Sequence, residues 1–297
     1  MSGYHVLIVL MSFVLQSPAE ERNSDIQNIG HRNINKGTLA ISRDREFELG
    51  QQLRAGLEQK VQFFQQAEVA TYINSIVQLL AVNSDVNIPI VSRIIESDEI
   101  DSIGLSGGSV YVTTGLIRAA DNEAELAAAV AHAIAHIAAR HAAEMVMKAE
   151  LLDQAYIPLL TGKTSDSPLS QTGVTVIPTQ LLTFARKNEM EADFLSLQYL
   201  YRAGWDADAA IRFLEKMQTR AATHATPASR LPPEAIGARY FGNLSGTGDQ
   251  MLQAEPPINS RISRLRRQRE TLPARAGDRV NTVDFDRAKM LVSTTQR

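Results

Sequence analysis

The sequence predicts an α+β fold, mainly helical, with one small sheet. Three observations carry this prediction. Residues 126–149 are mostly Ala, Val, Ile and Met without a Gly or Pro, the composition of a long buried helix. Apolar residues recur at helical spacing within 42–80 and again within 181–202. β-Branched runs are few and short, at 88–95 and 109–113 on either side of Gly107-Gly108, enough for a small sheet and no more.

The chain has 297 residues, is 44% hydrophobic and 21% charged, and carries a formal net charge of -3. That balance gives no overall pull toward nucleic acid. No repeat or sharp change of composition divides the chain, so residues 41–270 are expected to form one domain. Residues 6–15 are an apolar run too short to span a bilayer, and Ser17-Pro18-Ala19 places small residues where a signal peptidase would cut. Residues 1–19 are therefore expected to be a signal peptide and the mature protein to be periplasmic. The basic n-region is missing, which leaves a frayed apolar terminus or a membrane-peripheral anchor as the alternative. The chain has no Cys, so neither a disulfide nor a lipoprotein anchor is expected.

Taken in order, residues 20–40 are polar and rich in Asn and are expected to form an extended arm. Ser42 is a helix cap, and Tyr72-Ile73, Ile76-Val77 and Leu79-Leu80 form a helical stripe. The two β-branched runs follow. Ser106 and Ser109 sit near glycines but lack the nucleophile-elbow pattern, and a tight turn suffices there. Asn122-Glu123-Ala124-Glu125 opens the next helix with acidic residues that suit the positive end of the helix dipole; this helix is expected to continue to residue 149. Residues 161–179 are rich in Ser, Thr, Gly and Pro and are expected to form a loop over the cleft, either gating it or lying plainly on the surface. The helix of 181–202 stops at Ala203-Gly204, and another is expected over 206–217. Residues 219–248 are irregular and hold His224, expected to be a solvent-exposed loop histidine, with an auxiliary metal contact as the alternative. Arg261, Arg264, Arg266, Arg267 and Arg269 are expected on the wet face of a helix whose apolar side is Ile258, Ile262 and Leu265, rather than at an anionic partner. Residues 271–297 are expected to be a C-terminal tail.

Two segments carry chemistry. His132 and His136 lie four apart and so share one face of their helix. In a buried helix each needs a partner, because an unpaired buried polar group costs about 1–3 kcal/mol. A metal ion satisfies both, and so would ordinary hydrogen bonds in a core. In Arg186-Lys187-Asn188-Glu189-Met190-Glu191-Ala192-Asp193, Glu189 and Asp193 also share a helical face, while Glu191 points elsewhere. A solvated acidic patch is the plain alternative. Taken with the histidines, however, the pattern fits a His-His-Glu zinc site of His132, His136 and Glu189. Asp193 would accept a hydrogen bond from a ligand histidine and orient its ring.

A family resemblance spans residues 41–269. It rests on an ordered series: Glu46-Phe47-Glu48-Leu49-Gly50, the run from Gly107-Gly108-Ser109 to Gly115-Leu116, Glu123-Ala124-Glu125-Leu126-Ala127, His132 with His136, Ala139-Arg140-His141, Glu189 to Asp193, and Ala203-Gly204-Trp205-Asp206. The chain resembles the HExxH zinc metallopeptidases of the HtpX and CAAX-prenyl-protease type, and most of all their small periplasmic BepA-like members. The resemblance implies a zincin-like fold with its sheet at the active-site cleft and one zinc ion on His132, His136 and Glu189. Asp193 maps onto the family's helix aspartate. The resemblance further implies that residues 107–112 form the edge strand that holds substrate by strand addition. Unfolded or misassembled envelope proteins would be the substrates or clients.

The sequence departs from the family pattern at three places. Ala133 stands where HExxH has its general-base glutamate. Glu255 stands where relatives tend to have a histidine before the prolines, and Asp101-Ser102-Ile103-Gly104-Leu105-Ser106 is a divergent version of the loop before the glycine pair. General acid–base catalysis supplies about 10²–10⁴-fold, so losing the base would raise the barrier by roughly 3–5 kcal/mol. Metal binding need not suffer, since that glutamate is not a ligand. Glu255 or Glu191 could replace the base only by reaching within about 3 Å of the attacking water. Natural loss and deliberate replacement of the base both give this sequence. The expectation is a zinc endopeptidase whose activity is impaired or abolished; the alternative is a zinc-binding pseudopeptidase with a chaperone-like, peptide-binding role.

Overall fold

The computed structural model describes residues 25–34, 41–144, 179–223 and 256–295. The expected signal peptide (1–19), the expected loop up to residue 178, His224 and Glu255 lie outside the described residues, and Thr179 opens a helix.

Helix α1 (Arg43–Glu58) starts at Ser42, whose hydroxyl accepts from the Arg45 N–H. Helix α2 (Ala67–Val82) buries Val69, Ile73, Ile76, Val77 and Leu80 on one stripe. Three strands follow: β1 (Val91–Ile95), β2 (Ser102–Leu105) and β3 (Ser109–Thr113). Their order is β1-β3-β2, with β3 parallel to β1 and antiparallel to β2. Strand β3, expected at the edge, is therefore the central strand, and all five of its residues are buried. The reason is the divergent segment before it. Residues 102–105, which read as a loop, turn back through Gly107 and Gly108, both at positive φ, and pair with β3. Edge strand β2 lies directly on the histidine-bearing helix. A Cβ at Gly104 would sit 2.2 Å from the Ala133 carbonyl oxygen, so only glycine permits this approach. The Ser102 hydroxyl donates to the Ala129 carbonyl at 2.7 Å.

After the short α3 (Thr114–Ala119), helix α4 (Glu123–Ala138) is capped by Asn122, which accepts from the Glu125 N–H. Nearly every residue of α4 is buried. It ends at Ala138; helical structure resumes over residues 141–144 after a break at Ala139-Arg140, and residues 145–149 lie outside the described residues. Arg140 adopts φ +56°, a left-handed conformation that stops a helix and is rare for a side-chain-bearing residue. The conformation is held from outside: Arg140 donates from Nε to Glu46 at 2.6 Å and from Nη2 to the Ile41 carbonyl at 3.2 Å. Composition could not reveal this stop, because its cause lies on α1.

Helix α5 (Thr179–Arg202) packs most extensively on α4. Helices α6 (Asp208–Thr223) and α7 (Ile258–Thr271) complete that side, with α7 against both α5 and α6. The expected tail contains a further helix, α8 (Val283–Thr294), which buries Phe285, Ala288 and Val292 against α2 and α3. Likewise residues 25–34 are not an extended arm. Ile29 is in the core, the buried Arg32 pairs with Asp85 at 2.5 Å, and Arg202 donates to the Ile29 carbonyl. Glu123, buried at the start of α4, accepts from Trp205 Nε1 at 2.8 Å, from the Tyr72 hydroxyl at 3.0 Å and from Thr282. One carboxylate thus ties α4 to α2, to the turn after α5 and to the start of α8. Among the described residues, no helix is long and apolar enough to cross a membrane.

Candidate metal centre

Helix α4 presents His132 and His136 one turn apart, and α5 presents Glu189 opposite them. His132 Nε2 lies 3.0 Å from His136 Nε2 and 3.4 Å from Glu189 Oε2, and His136 Nε2 lies 3.3 Å from Glu189 Oε1. These separations test the donor set. Zinc–ligand bonds of about 2.0–2.2 Å in tetrahedral geometry put neighbouring donors roughly 3.3–3.5 Å apart. The cluster matches, with two imidazole nitrogens and one carboxylate, the donor chemistry of a zinc site that keeps a position open. Among the described residues it is the one group able to hold a metal through three such side chains. The three side chains are 22–24% exposed, open enough for an ion and a substrate to reach.

The outer nitrogens of the two rings are also engaged. His132 Nδ1 faces Asp193 Oδ1 at 3.2 Å. Asp193 is in turn gripped by Arg261, whose Nε and Nη2 each donate to one carboxylate oxygen at 2.7 Å. Nη2 also lies 3.4 Å from Glu189 Oε2. Arg261 therefore does not lie on the wet face of α7: its side chain is 10% exposed and points into the site. A helical wheel places an arginine on a face but does not say what covers that face. The available signal was electrostatic, since a buried Asp193 next to a partly buried Glu189 calls for a cation.

His136 Nδ1 faces His141 Nδ1 at 3.0 Å, and His141 Nε2 lies 3.5 Å from Glu191 Oε2. Sequence spacing gives His141 no such role, because in a straight helix a residue five positions on lies roughly 140° round the axis. The left-handed break at Arg140 swings it back. Glu191 lies off the three-residue cluster, as its helical phase predicts, and faces His141.

Without metal, burial pushes both ring pKa values down, but the hydrogen bonds to Asp193 and Glu189 overcome this for His132 and lift it to about 9. His136 falls to about 4, through burial and the neighbouring His132 and His141, against the pull of Glu189. Burial would raise the Glu189 carboxyl, but the two histidines hold it well below the usual carboxylate range. Arg261 does the same for Asp193, with His132 adding to it. Glu189 and Asp193 are thus carboxylates, the form that binds or orients. Ala133 is buried, with its carbonyl under Gly104, and offers no carboxylate beside the cluster.

Comparison with known proteins agrees with this geometry. Residues 67–269, more than half of the chain, match peptidase family M48. The chain belongs to peptidase family M48. M48 peptidases are zinc-dependent, and the histidine pair and Glu189 of this M48 chain fall within the matched region. Among M48 relatives, the β-barrel assembly-enhancing protease of Escherichia coli (strain K12) is 29% identical over 223 residues, 65% of this chain and 43% of that protein. The protein of the same name from Yersinia pestis is 29% identical over 179 residues, 54% of this chain and 37% of its own length. A putative β-barrel assembly-enhancing protease of Vibrio cholerae is 29% identical over 164 residues, 52% and 33%. The chain thus aligns with less than half the length of each of these M48 relatives.

Proposed function

We propose that this chain is a zinc metalloendopeptidase of the cell envelope, acting on unfolded or misassembled envelope proteins and slowed or silenced by Ala133. The observation that carries the proposal is the completeness of the donor set around a missing base. His132, His136 and Glu189 have zinc spacing, and Asp193 with Arg261 braces one ring.

Zinc bound there would act as a Lewis acid and bring the pKa of water to about 7. The chain's own residues supply the rest. Glu189 and the two imidazoles would hold the ion. Strand β2, at the sheet edge and against α4, offers main-chain groups to an extended peptide, which would then lie along the histidine helix. What the chain lacks is a group at position 133 to take the proton of the attacking water and pass it to the leaving amine. The envelope assignment draws on the names of the relatives and on the expected signal peptide.

The second reading, a pseudopeptidase that binds extended peptides without cutting them, is favoured by Ala133 itself. Incubating the zinc-loaded chain with an unfolded outer-membrane protein separates the two. Slow cleavage that disappears in Glu189→Ala supports the peptidase. Saturable binding without cleavage supports the binder. Neither cleavage nor binding would sink both.

A further inference from the structure

We infer that His141 is a positioning residue that, backed by Glu191, fixes the tautomer and orientation of His136. This rests on the metal reading above and deepens it. If His136 meets the metal through Nε2, its one ring proton is on Nδ1. That nitrogen faces His141 Nδ1 at 3.0 Å. Two N–H groups cannot face each other at that distance, so His141 Nδ1 must carry a lone pair and accept. The proton of His141 is then on Nε2, the nitrogen directed at Glu191 Oε2, 3.5 Å away. The protons therefore run one way: His136 donates to His141, and His141 donates to Glu191.

Ligand histidines usually donate their outer N–H to a carboxylate, a backbone carbonyl or water. His132 follows that habit with Asp193. His136 instead uses a second imidazole, 3% exposed, delivered by the left-handed turn at Arg140. The two rings lie 5.0 Å apart between centroids, with 76° between their planes. The carboxylate behind His141 sits on α5, two residues from Glu189, and His141 itself follows the break that ends α4. The His141 imidazole is thus directed by Glu191 on α5 as well as by the turn at Arg140.

The test is zinc affinity by chelator competition, with ¹⁵N spectra of the histidine rings. His141→Ala should weaken zinc about 10–100-fold. His141→Asn, whose Oδ1 can accept where Nδ1 did, should recover most of that loss, whereas a residue that only filled space would not be rescued this way. Glu191→Ala should weaken zinc less than His141→Ala. In the unsubstituted zinc-loaded chain, the spectra should show His136 protonated at Nδ1 and His141 at Nε2, a reading independent of whether any variant folds. Equal zinc affinity in His141→Ala, or His141 protonated at Nδ1, would overturn the inference while leaving the metal site standing. Failure of the unsubstituted chain to bind zinc would overturn the metal reading and the inference with it.

Discussion

Arg261 is the residue on which the electrostatics of the centre turn. It neutralises Asp193 through two bonds of 2.7 Å and stands 3.4 Å from Glu189. Remove it, and Asp193 becomes a buried carboxylate with only His132 opposite. Arg261→Met, which keeps the stem and loses the fork, should therefore weaken zinc about 10–100-fold; chelator competition measures this, and unchanged affinity would mean Asp193 needs no cation. The histidines make a second prediction. Metal-free, His132 titrates near 9, above its ordinary 6.5, so its proton stabilises the metal-free fold below about 6.5, and that contribution is lost as pH rises through 9. Zinc must displace this proton. Apparent zinc affinity should thus rise about tenfold per pH unit between roughly 6.5 and 9, and a flat profile there would show that His132 is not the protonated partner. At this scale the sequence was half legible. His132, His136, Glu189 and Asp193 followed from helical spacing. His141 and Arg261 did not, because one depends on a helix break and the other on what covers a helix face.

Helices were legible at Ser42, which caps an apolar pattern, and at Asn122, which opens a run that is apolar nearly all round. The miss that matters for the site is the end of α4. Its alanines would continue a helix past residue 138, but Glu46 on α1 takes Arg140 out of helical geometry. Local propensity lost to a tertiary ion pair that is mostly buried, with side chains 11% and 6% exposed. Removing one partner of such a pair costs about 3–5 kcal/mol. Glu46→Ala should therefore lower unfolding stability by about that much, read from the denaturant midpoint, and should loosen zinc as His141 drifts. A loss under about 0.5 kcal/mol, the size of an exposed pair, would show that the turn is held by something else. Strand β2 was missed for a related reason. With only Ile103 and Leu105 apolar, it has too little pattern to be seen apart from β3, its pairing partner.

For the whole molecule, composition and periodicity were sufficient to predict a mainly helical α+β protein with a small sheet, and the three-stranded sheet among helices agrees. The ends were less legible. Residues 25–34 and α8 are each anchored by a few buried groups, Ile29 and Arg32 at one end and Phe285 and Val292 at the other. A sparse anchor gives little periodic signal, yet both segments close the body that carries α4. That body sets Glu189 against the histidine pair and lays β2 along the same helix, with Ala133 between them. The most direct measurement is the ratio of casein-cleavage rates between Ala133→Glu and the chain as it stands, both zinc-loaded. A centre that lacks only its base predicts a ratio of about 10²–10⁴, lost again when Glu189→Ala is added. A ratio near one, with zinc bound in both, would contradict it: the cleft would then be closed to substrate, or another group would already serve as the base.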